Sequence, residues 1–467
     1  MLFVEFRFLF FFAAVLAVNW ALRWNTARKV WLLGASYAFY AGWDWRFLGL
    51  ILFSTLVDYC AGAGIGRNEG NRTRQRAWLG LSLAGNLGLL GTYKYFDFFS
   101  TTAQDFLGWL GIGASLPVLN LVLPVGISFY TFQTLSYSID IYLGKLKPAR
   151  SLLDLALFVG FFPQLVAGPI VMAKEFLPQL NERRTLGDVR VRWALILFFV
   201  GFVKKSCISD GVSPFVDAVH AAPEAATAFA VWVSAFAFSC QIYCDFSGYT
   251  DMAIACAMLL GYRLPINFNA PYLSRSIGEF WKRWHVTLGR WFFEYVYVPM
   301  GGNRCGKLRS MWNLWFVFVA SGLWHGAGLT YVVYGMIYGT VVIFERMPFG
   351  QLLRKMPSLV QMAYVHFVWM VTMTLFRSPD IGHAAEVCGR MLTGLPSAAG
   401  ESPPVPPLLI PTLAVLGAVH VIWQKAKLEE RWSNLPPEAF AAVMGVAVAL
   451  ATPWISSNPA PYIYFAF

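Results

Sequence analysis

Long apolar runs, broken by short polar loops, recur along the whole chain. The runs are Phe8 to Leu22, Val30 to Ala41, Phe47 to Ile65, Trp78 to Phe99, Leu119 to Tyr142, Leu152 to Val171, a run from near Phe229, Met311 to Phe344, Val360 to Phe376, Leu408 to Trp423 and Ala439 to Ala451. Many approach or exceed the ~20 residues an α-helix needs to cross the hydrocarbon of a bilayer. No polar stretch between them is long enough to fold as a separate domain. The pattern therefore predicts an all-α, polytopic membrane protein made of one membrane domain, residues 1–467.

The loops set the direction of each crossing, because basic loops stay on the cytoplasmic side. Glu5 and a lone Arg7 precede the first run, whereas Arg23, Arg28 and Lys29 follow it. An uncleaved first span with its N-terminus outside is expected. The next basic loop is Arg67 to Arg76, so the two runs between it and Lys29 make two crossings. The aromatic cluster Tyr37 to Trp45 is then their outer turn. Trp78 to Phe99 goes out, residues 100–118 stay outside, and Leu119 to Tyr142 returns to Lys145, Lys147 and Arg150. Near the C-terminus, Val360 to Phe376 runs outward to a loop holding Pro396, Pro403, Pro404, Pro406 and Pro407. Leu408 to Trp423 returns to the charged loop Lys425 to Arg431, and Ala439 to Ala451 leaves again.

Two runs break this parity. Leu152 to Val171 has basic groups at both ends, the second being Arg183, Arg184, Arg190 and Arg192. A re-entrant segment broken at Gly160, Pro163, Gly168 and Pro169 reconciles both flanks. Met311 to Phe344 lies between Arg304, Lys307, Arg309 and Arg346, Arg354, Lys355, so it must turn in the middle, at Ser321 to Gly328. Each leg is then about 16 residues, or ~24 Å, shorter than the ~30 Å core. This predicts that His325 lies below the outer surface, on the floor of a cavity in a thinned membrane domain.

Composition narrows the function classes. The chain is 57% hydrophobic and 13% charged, which excludes a water-soluble protein. Its 36 Lys and Arg against 25 Asp and Glu give a net +11, but these cations are bunched in the loops that set topology, and no nucleic-acid-reading motif accompanies them. The seven cysteines lie mostly within apolar runs, without paired spacing, and read as small core residues rather than a disulfide framework or metal site. No phosphate-binding loop, dinucleotide fingerprint, G-x-S-x-G elbow or H-E-x-x-H occurs. No internal repeat was found, which counts mildly against inverted-repeat transporters.

Among six histidines, His220, His383 and His420 fall in loops or near span ends and read as solvated or interfacial. His366, in an apolar run, reads as a satisfied core residue. His325 stands apart: Gly322, Gly326 and Gly328 open the backbone around an ionisable group at a helix break in the membrane, which marks it as a functional candidate. The competing structural reading is a tight hairpin with His325 as hydrogen-bonded glue. His285 lies in a segment where Trp281, Trp284, Leu288 and Trp291 recur at helical spacing, predicting an amphipathic helix. Its Lys282, Arg283 and Arg290 suit either an interfacial position or an anionic substrate arriving from the cytoplasm. Asp245 and Asp251 end the run from Phe229 and need partners if buried; an ion pair and a catalytic role both fit.

Six collinear motifs carry a resemblance. They are Leu123-Pro124-Val125-Gly126-Ile127-Ser128-Phe129-Tyr130-Thr131-Phe132-Gln133, Phe161 to Ile170, Asp245-Phe246-Ser247-Gly248-Tyr249, Trp281 to His285, Tyr297 to Arg304, and Trp324-His325-Gly326. Over most of its length the chain resembles the membrane-bound O-acyltransferases, in the bacterial branch that includes alginate O-acetyltransferase. The resemblance implies a ring of about 11 transmembrane helices, with re-entrant and interfacial helices, around a thinned central funnel. It implies His325 as the catalytic residue and His285 as its partner. Many eukaryotic members carry Asn or Asp at the second position, so an Asn-based mechanism does not carry over. Substrate-binding candidates from the matching motifs and their flanking cations are Trp324, Asp245, Ser247, Tyr249, Tyr130, Gln133, Lys282, Arg283, Arg290 and Arg304.

The implied activity is transfer of an acetyl group from cytoplasmic acetyl-CoA to a hydroxyl of an exported polysaccharide, directly or through a periplasmic SGNH-type, esterase-like partner. The setting is the bacterial inner membrane. No bound cofactor or metal is expected; acetyl-CoA is a substrate. Two alternatives stay open, D-alanyl transfer to teichoic acid-type acceptors and a non-enzymatic carrier or flippase for a lipid-linked sugar.

Overall fold

The computed structural model describes residues 1–182, 184–393, 402–426, 428–455 and 459–463; Arg183, Pro396 and the Lys425 side chain lie outside them. Among the described residues the regular structure is helical throughout. Among these residues four stretches are, by length and composition, long and apolar enough to cross a membrane: Asn25–Arg67, Ala228–Leu259, Ser358–Arg377 and Pro437–Trp454. Shorter apolar helices are Phe6–Ala21, Leu329–Phe344 and Leu409–Trp423. The protein is all-α and polytopic. Its contacts divide into two compact units, one built mainly from Arg7–Val189 with Cys256–Pro265, the other from Leu2–Phe6, Arg190–Ala255 and Ile266–Phe467.

The first unit holds α1 (Phe6–Ala21), α2 (Asn25–Asp44), α3 (Leu48–Arg67), α4 (Arg72–Leu90), α5 (Phe96–Trp109), α6 (Ile127–Tyr142) and α7 (Leu152–Gly160). A single 3-10 turn, Trp45–Phe47, separates α2 from α3, and the Asp44 carboxylate caps it by accepting from the Arg46 N–H at 3.0 Å. Helices α3, α4 and α6 meet along a buried polar seam. Asp58 accepts from Ser82 Oγ, from Ser138 Oγ at 2.7 Å and from Asn86 Nδ2 at 2.9 Å. Four hydrogen-bonding side chains thus close on one another with Asp58 fully shielded, which meets the cost of removing a carboxylate from water. Lys29 of α2 is tied to Asp154 of α7 at 2.6 Å in a second buried contact.

Two predicted spans are corrected here. Leu119 to Tyr142 is helical only from Ile127. Pro117 and Pro124 supply no N–H, and Gly126 adopts φ +80, where a Cβ would come within 2.6 Å of the Leu165 carbonyl oxygen. The outward helix from the Arg67 to Arg76 loop does not stop at Phe99. After a π-helical turn at Gly91–Tyr95 it continues as α5 to Trp109. The predicted breaks after Leu152 are present: α7 ends at Gly160, one turn follows at Phe162–Leu165, and residues 154 to 173 are buried without exception.

The second unit contains α8 (Val191–Phe202), α9 (Asp210–Ala221), α10 (Ala228–Leu259, its last turns belonging to the first unit), α11 (Val286–Phe292), α12 (Lys307–His325), α13 (Leu329–Phe344), α14 (Pro348–Lys355), α15 (Ser358–Arg377), α16 (Ile381–Thr393), α17 (Leu409–Ala426) and α18 (Pro437–Ala451). The hairpin expected between Met311 and Phe344 is α12 and α13, joined by Gly326–Gly328. Small residues set its closeness. A Cβ on Gly335 would lie 2.8 Å from the Val319 Cα, and one on Gly322 would lie 3.1 Å from the Gly335 Cα. Backbones that touch in this way maximise dispersion contact where lipid supplies no hydrophobic drive.

A buried ion pair ties α10 to the π-helical turn Val203–Ser209. Lys205 Nζ lies 2.8 Å from Asp245 Oδ1 and 2.8 Å from Asp210 Oδ1, and the Lys205 and Asp245 side chains are each 1% exposed. The other Asp245 oxygen accepts from the Ile463 N–H at 2.8 Å. Asp245 thus holds a structural ion pair, as does Asp251, paired with Lys204 at 2.6 Å.

Two outcomes follow for stability. Lys205→Met leaves the buried Asp245 carboxylate without its cation and should cost about 3–5 kcal/mol; Asp245→Leu should cost less, because Lys205 keeps Asp210, and the double variant should recover part of the Lys205→Met loss. Thermal unfolding of purified protein in detergent, read as a double-mutant cycle, checks this; strictly additive losses would count against the pair. Gly335→Ala should cost about 1–3 kcal/mol by overpacking the hairpin, and an unchanged unfolding midpoint would show that the helices part freely.

Candidate functional site

The backbone around His285 is assembled from three distant pieces. Glu345, just past α13, accepts from the Ile277 N–H at 2.6 Å and the Gly278 N–H at 2.8 Å, while Ser276 Oγ accepts from the Glu279 N–H at 3.0 Å. Together they satisfy the first amides of the single helical turn Ile277–Phe280. The chain then turns through 281–284 and reaches His285, which sits at φ 44, ψ 50, a left-handed conformation uncommon for a residue with a Cβ. From the other side an extended segment pairs with this turn. Asn269 N donates to Arg283 O at 2.9 Å, and Val286 N donates to Asn267 O at 2.9 Å.

The continuous amphipathic helix expected over 279–291 is therefore corrected. Helix stops at Phe280 and resumes at Val286, because the left-handed residue reverses the backbone twist. Its tryptophans pack against other side chains of the protein, Trp281 half-buried among Phe280, Phe318 and Tyr338. Trp284 is buried, stacked on Phe280 at 5.6 Å and packed against Trp369 at 4.6 Å, and Trp291 and Leu288 are buried as well. Arg283 is paired with Glu279 at 2.7 Å and Arg290 with Glu294 at 3.6 Å, whereas Lys282 and Arg304 are exposed.

His325 is the last residue of α12, so the hairpin places it directly. Its ring centre lies 6.4 Å from that of His285, and Trp324 sits against both, 5.1 Å from His325 and 5.8 Å from His285. Phe376 at 5.5 Å and Tyr334 at 6.2 Å also pack against His325, and Phe246 packs edge-on against His285 at 4.7 Å. At this separation the two imidazoles are too far apart to share a proton directly, yet an oxygen placed between them can reach both. The pair sets two imidazoles in a water-poor, aromatic wall, a setting suited to acid–base chemistry on a bound hydroxyl.

The glycines beside His325 do not open a path to it. A Cβ on Gly326 would strike the Tyr331 ring, and one on Gly322 would meet the Tyr331 carbonyl oxygen, so the space they leave is filled by α13. His325 is 3% exposed and His285 1%. A cavity of about 430 Å³ in the same unit is lined by Lys204, Tyr243, Tyr272, His366, Leu416, His420 and other side chains, and neither His285 nor His325 is among them.

The remaining expected site residues fall as follows. Asp245 holds Lys205 and the C-terminal Ile463, and Tyr249 is sandwiched by Phe3 at 4.8 Å and Tyr462 at 4.9 Å, so this motif gathers the two chain ends. Ser247 is fully buried beside them in sequence. Tyr130 and Gln133 are buried on α6 in the first unit. His366 is satisfied as expected, its Nδ1 2.8 Å from the Met362 carbonyl oxygen. His383, expected to be solvated or interfacial, is half-buried and lies 2.9 Å from both Ser378 Oγ and the His220 carbonyl oxygen. Cys244 and Cys256 are buried, but Cys60 is exposed and is not a core residue. Two residues that sequence reasoning missed shape the site: Asn267, whose Oδ1 lies 3.1 Å from His285 Nδ1, and Glu345. Neither stands in a recognisable local motif, and each acts on a partner 18 or more residues away.

Residues 147–377, which include both histidines, match the membrane-bound O-acyltransferase family. A probable alginate O-acetylase of Azotobacter vinelandii is 36% identical over 387 residues, 83% of this chain and 77% of that protein. The peptidoglycan O-acetyltransferase of Helicobacter pylori is 35% identical over 398 residues, 78% of this chain and 73% of its own. A teichoic acid D-alanyltransferase of Bacillus subtilis is 28% identical over 239 residues, 48% of this chain and 60% of its own. The chain belongs to the membrane-bound O-acyltransferase family and is an O-acyltransferase.

Proposed function

We propose that the protein moves an acetyl group from cytoplasmic acetyl-CoA to a hydroxyl of an exported polysaccharide in the bacterial inner membrane, directly or through a periplasmic SGNH-type partner. The observation that carries this reading is the buried pair His285 and His325 sharing Trp324, within a chain whose relatives at 35–36% identity are O-acetylating proteins. The D-alanylating relative matches only 48% of the chain, which favours acetyl as the acyl group. The ring of about 11 helices around a thinned funnel is part of the same proposal, because it brings substrates from opposite compartments to one place.

In this mechanism His325 is the general base. A hydroxyl oxygen of the acceptor attacks the thioester carbonyl as its proton passes to the His325 ring; the new C–O bond forms, the C–S bond breaks, and the CoA thiolate leaves with the proton that His325 returns. A thioester needs little activation, so holding the two substrates in line supplies much of the rate. The exposed Lys282 and Arg304 are the better candidates for the CoA phosphates, since Arg283 and Arg290 would have to exchange the carboxylates they already hold. The shielding of His325 requires Trp324, Tyr331 or Phe376 to yield when substrate enters.

Purified protein supplied with radiolabelled acetyl-CoA and a glycan acceptor should release CoA and label the glycan. His325→Ala should lower that rate by about 10²–10⁴-fold at unchanged protein level. Full acetylation by the variant would defeat the mechanism, and transport of a lipid-linked sugar with the thioester left intact would identify a carrier instead.

A further inference from the structure

The hydrogen bonds around Asn267 decide which nitrogen of His285 carries its proton. Asn267 is 1% exposed, and its Oδ1 lies 3.3 Å from the Thr287 backbone nitrogen and 2.9 Å from Thr287 Oγ1. A backbone N–H can only donate. Turning the amide over would set its NH₂ group against that N–H, so the oxygen must be the atom on this side. The same oxygen lies 3.1 Å from His285 Nδ1. A carboxamide oxygen can only accept, so Nδ1 must carry a hydrogen and donate it. In the neutral ring the lone pair then resides on Nε2.

We propose that Asn267 is a positioning residue that fixes His285 in the Nδ1–H tautomer and thereby fixes its part in acyl transfer. The inference rests on the reading of His285 as a member of the reacting pair. With Nδ1–H spent on Asn267, the neutral ring has no second N–H to offer a developing oxyanion. Its Nε2 instead accepts a hydrogen bond from a second hydroxyl of the acceptor glycan and so aims the attacking oxygen at the thioester, while His325 takes the attacking hydroxyl's own proton. Three features serve this one end. The left-handed backbone at His285, the Val286 to Asn267 main-chain bond and the doubly held Oδ1 together leave the ring little freedom to turn. The Asn267 Nδ2 atom has no hydrogen-bond partner among the described residues, so replacing it with oxygen removes no contact.

The test uses the full-length protein in nanodiscs with two variants of nearly equal volume, Asn267→Asp, which keeps the acceptor, and Asn267→Leu, which removes it. In ¹⁵N-histidine-labelled protein the His285 signal, identified by its loss in His285→Gln, should report a protonated Nδ1 in the parent and in Asn267→Asp. In Asn267→Leu the proton should move toward Nε2, and kcat for acetyl transfer should fall at least about tenfold with KM for acetyl-CoA unchanged. An Nε2–H tautomer in the parent, or a Leu variant with normal kcat and an unaltered tautomer, would overturn the proposal. Should Asn267→Leu fail to fold, Asn267→Asp decides alone: loss of the Nδ1–H form there would also overturn it. Full activity in His325→Ala would instead sink the acyltransfer mechanism, a separate result.

Discussion

A polar atom withdrawn from water inside this chain has to find its partner inside the chain, and much of the structure is organised around that requirement. In the first unit Asp58 lies at the meeting of three helices and is met by serine and asparagine side chains from two of them. In the second, Lys205 and Asp245 are each 1% exposed and hold one another. An unpaired charge in such surroundings costs several kcal/mol, so each group dictates which helices must be neighbours. The rule reaches the candidate site in part: the oxygen of the buried Asn267 is filled by Thr287 and His285, while its Nδ2 has no partner among the described residues.

How far the sequence discloses this depends on whether the responsible residues are close together along it. Charge parity in the loops was enough to place a hairpin between Met311 and Phe344 and a break near His325, since both signals are local and the positive-inside bias is a property of short segments. Resemblance added the second histidine. The periodic pattern across 281–291, by contrast, misled: Trp281, Trp284, Leu288 and Trp291 keep helical spacing across a residue that is not helical, because the turn at 281–285 preserves the buried face while reversing the backbone. Periodicity reports which side chains are buried, and it cannot distinguish one helix from two set about a left-handed residue. Asn267 and Glu345 were illegible for a different reason. Their partners lie 18 and 67–68 residues away, and nothing in their own neighbourhood marks them.

The glycines give the same lesson in reverse. Gly322 and Gly326 beside a membrane-embedded histidine suggested room for a substrate. In the folded chain that room is taken by Tyr331 and by the close approach of α13. Their smallness serves helix packing, and through it the placement of His325 at the end of α12. A residue that clears space therefore says little about who occupies it until the facing helix is known.

These strands converge on the imidazole pair. Because the centres are 6.4 Å apart, neither ring can relay a proton straight to the other, and any chemistry they share must pass through a group held between them. A glycan acceptor meets that condition: one hydroxyl loses its proton to the ring that acts as base, and a neighbouring hydroxyl donates to the ring that aims it. Which ring does which depends on where each already spends its N–H. For His285 the answer comes from a carboxamide oxygen 3.1 Å from Nδ1, with no contribution from the helix that carries His325. Division of labour between two identical side chains thus arises from their unlike supports, a helix end closed by small residues on one side and a left-handed turn clamped by Asn267 on the other.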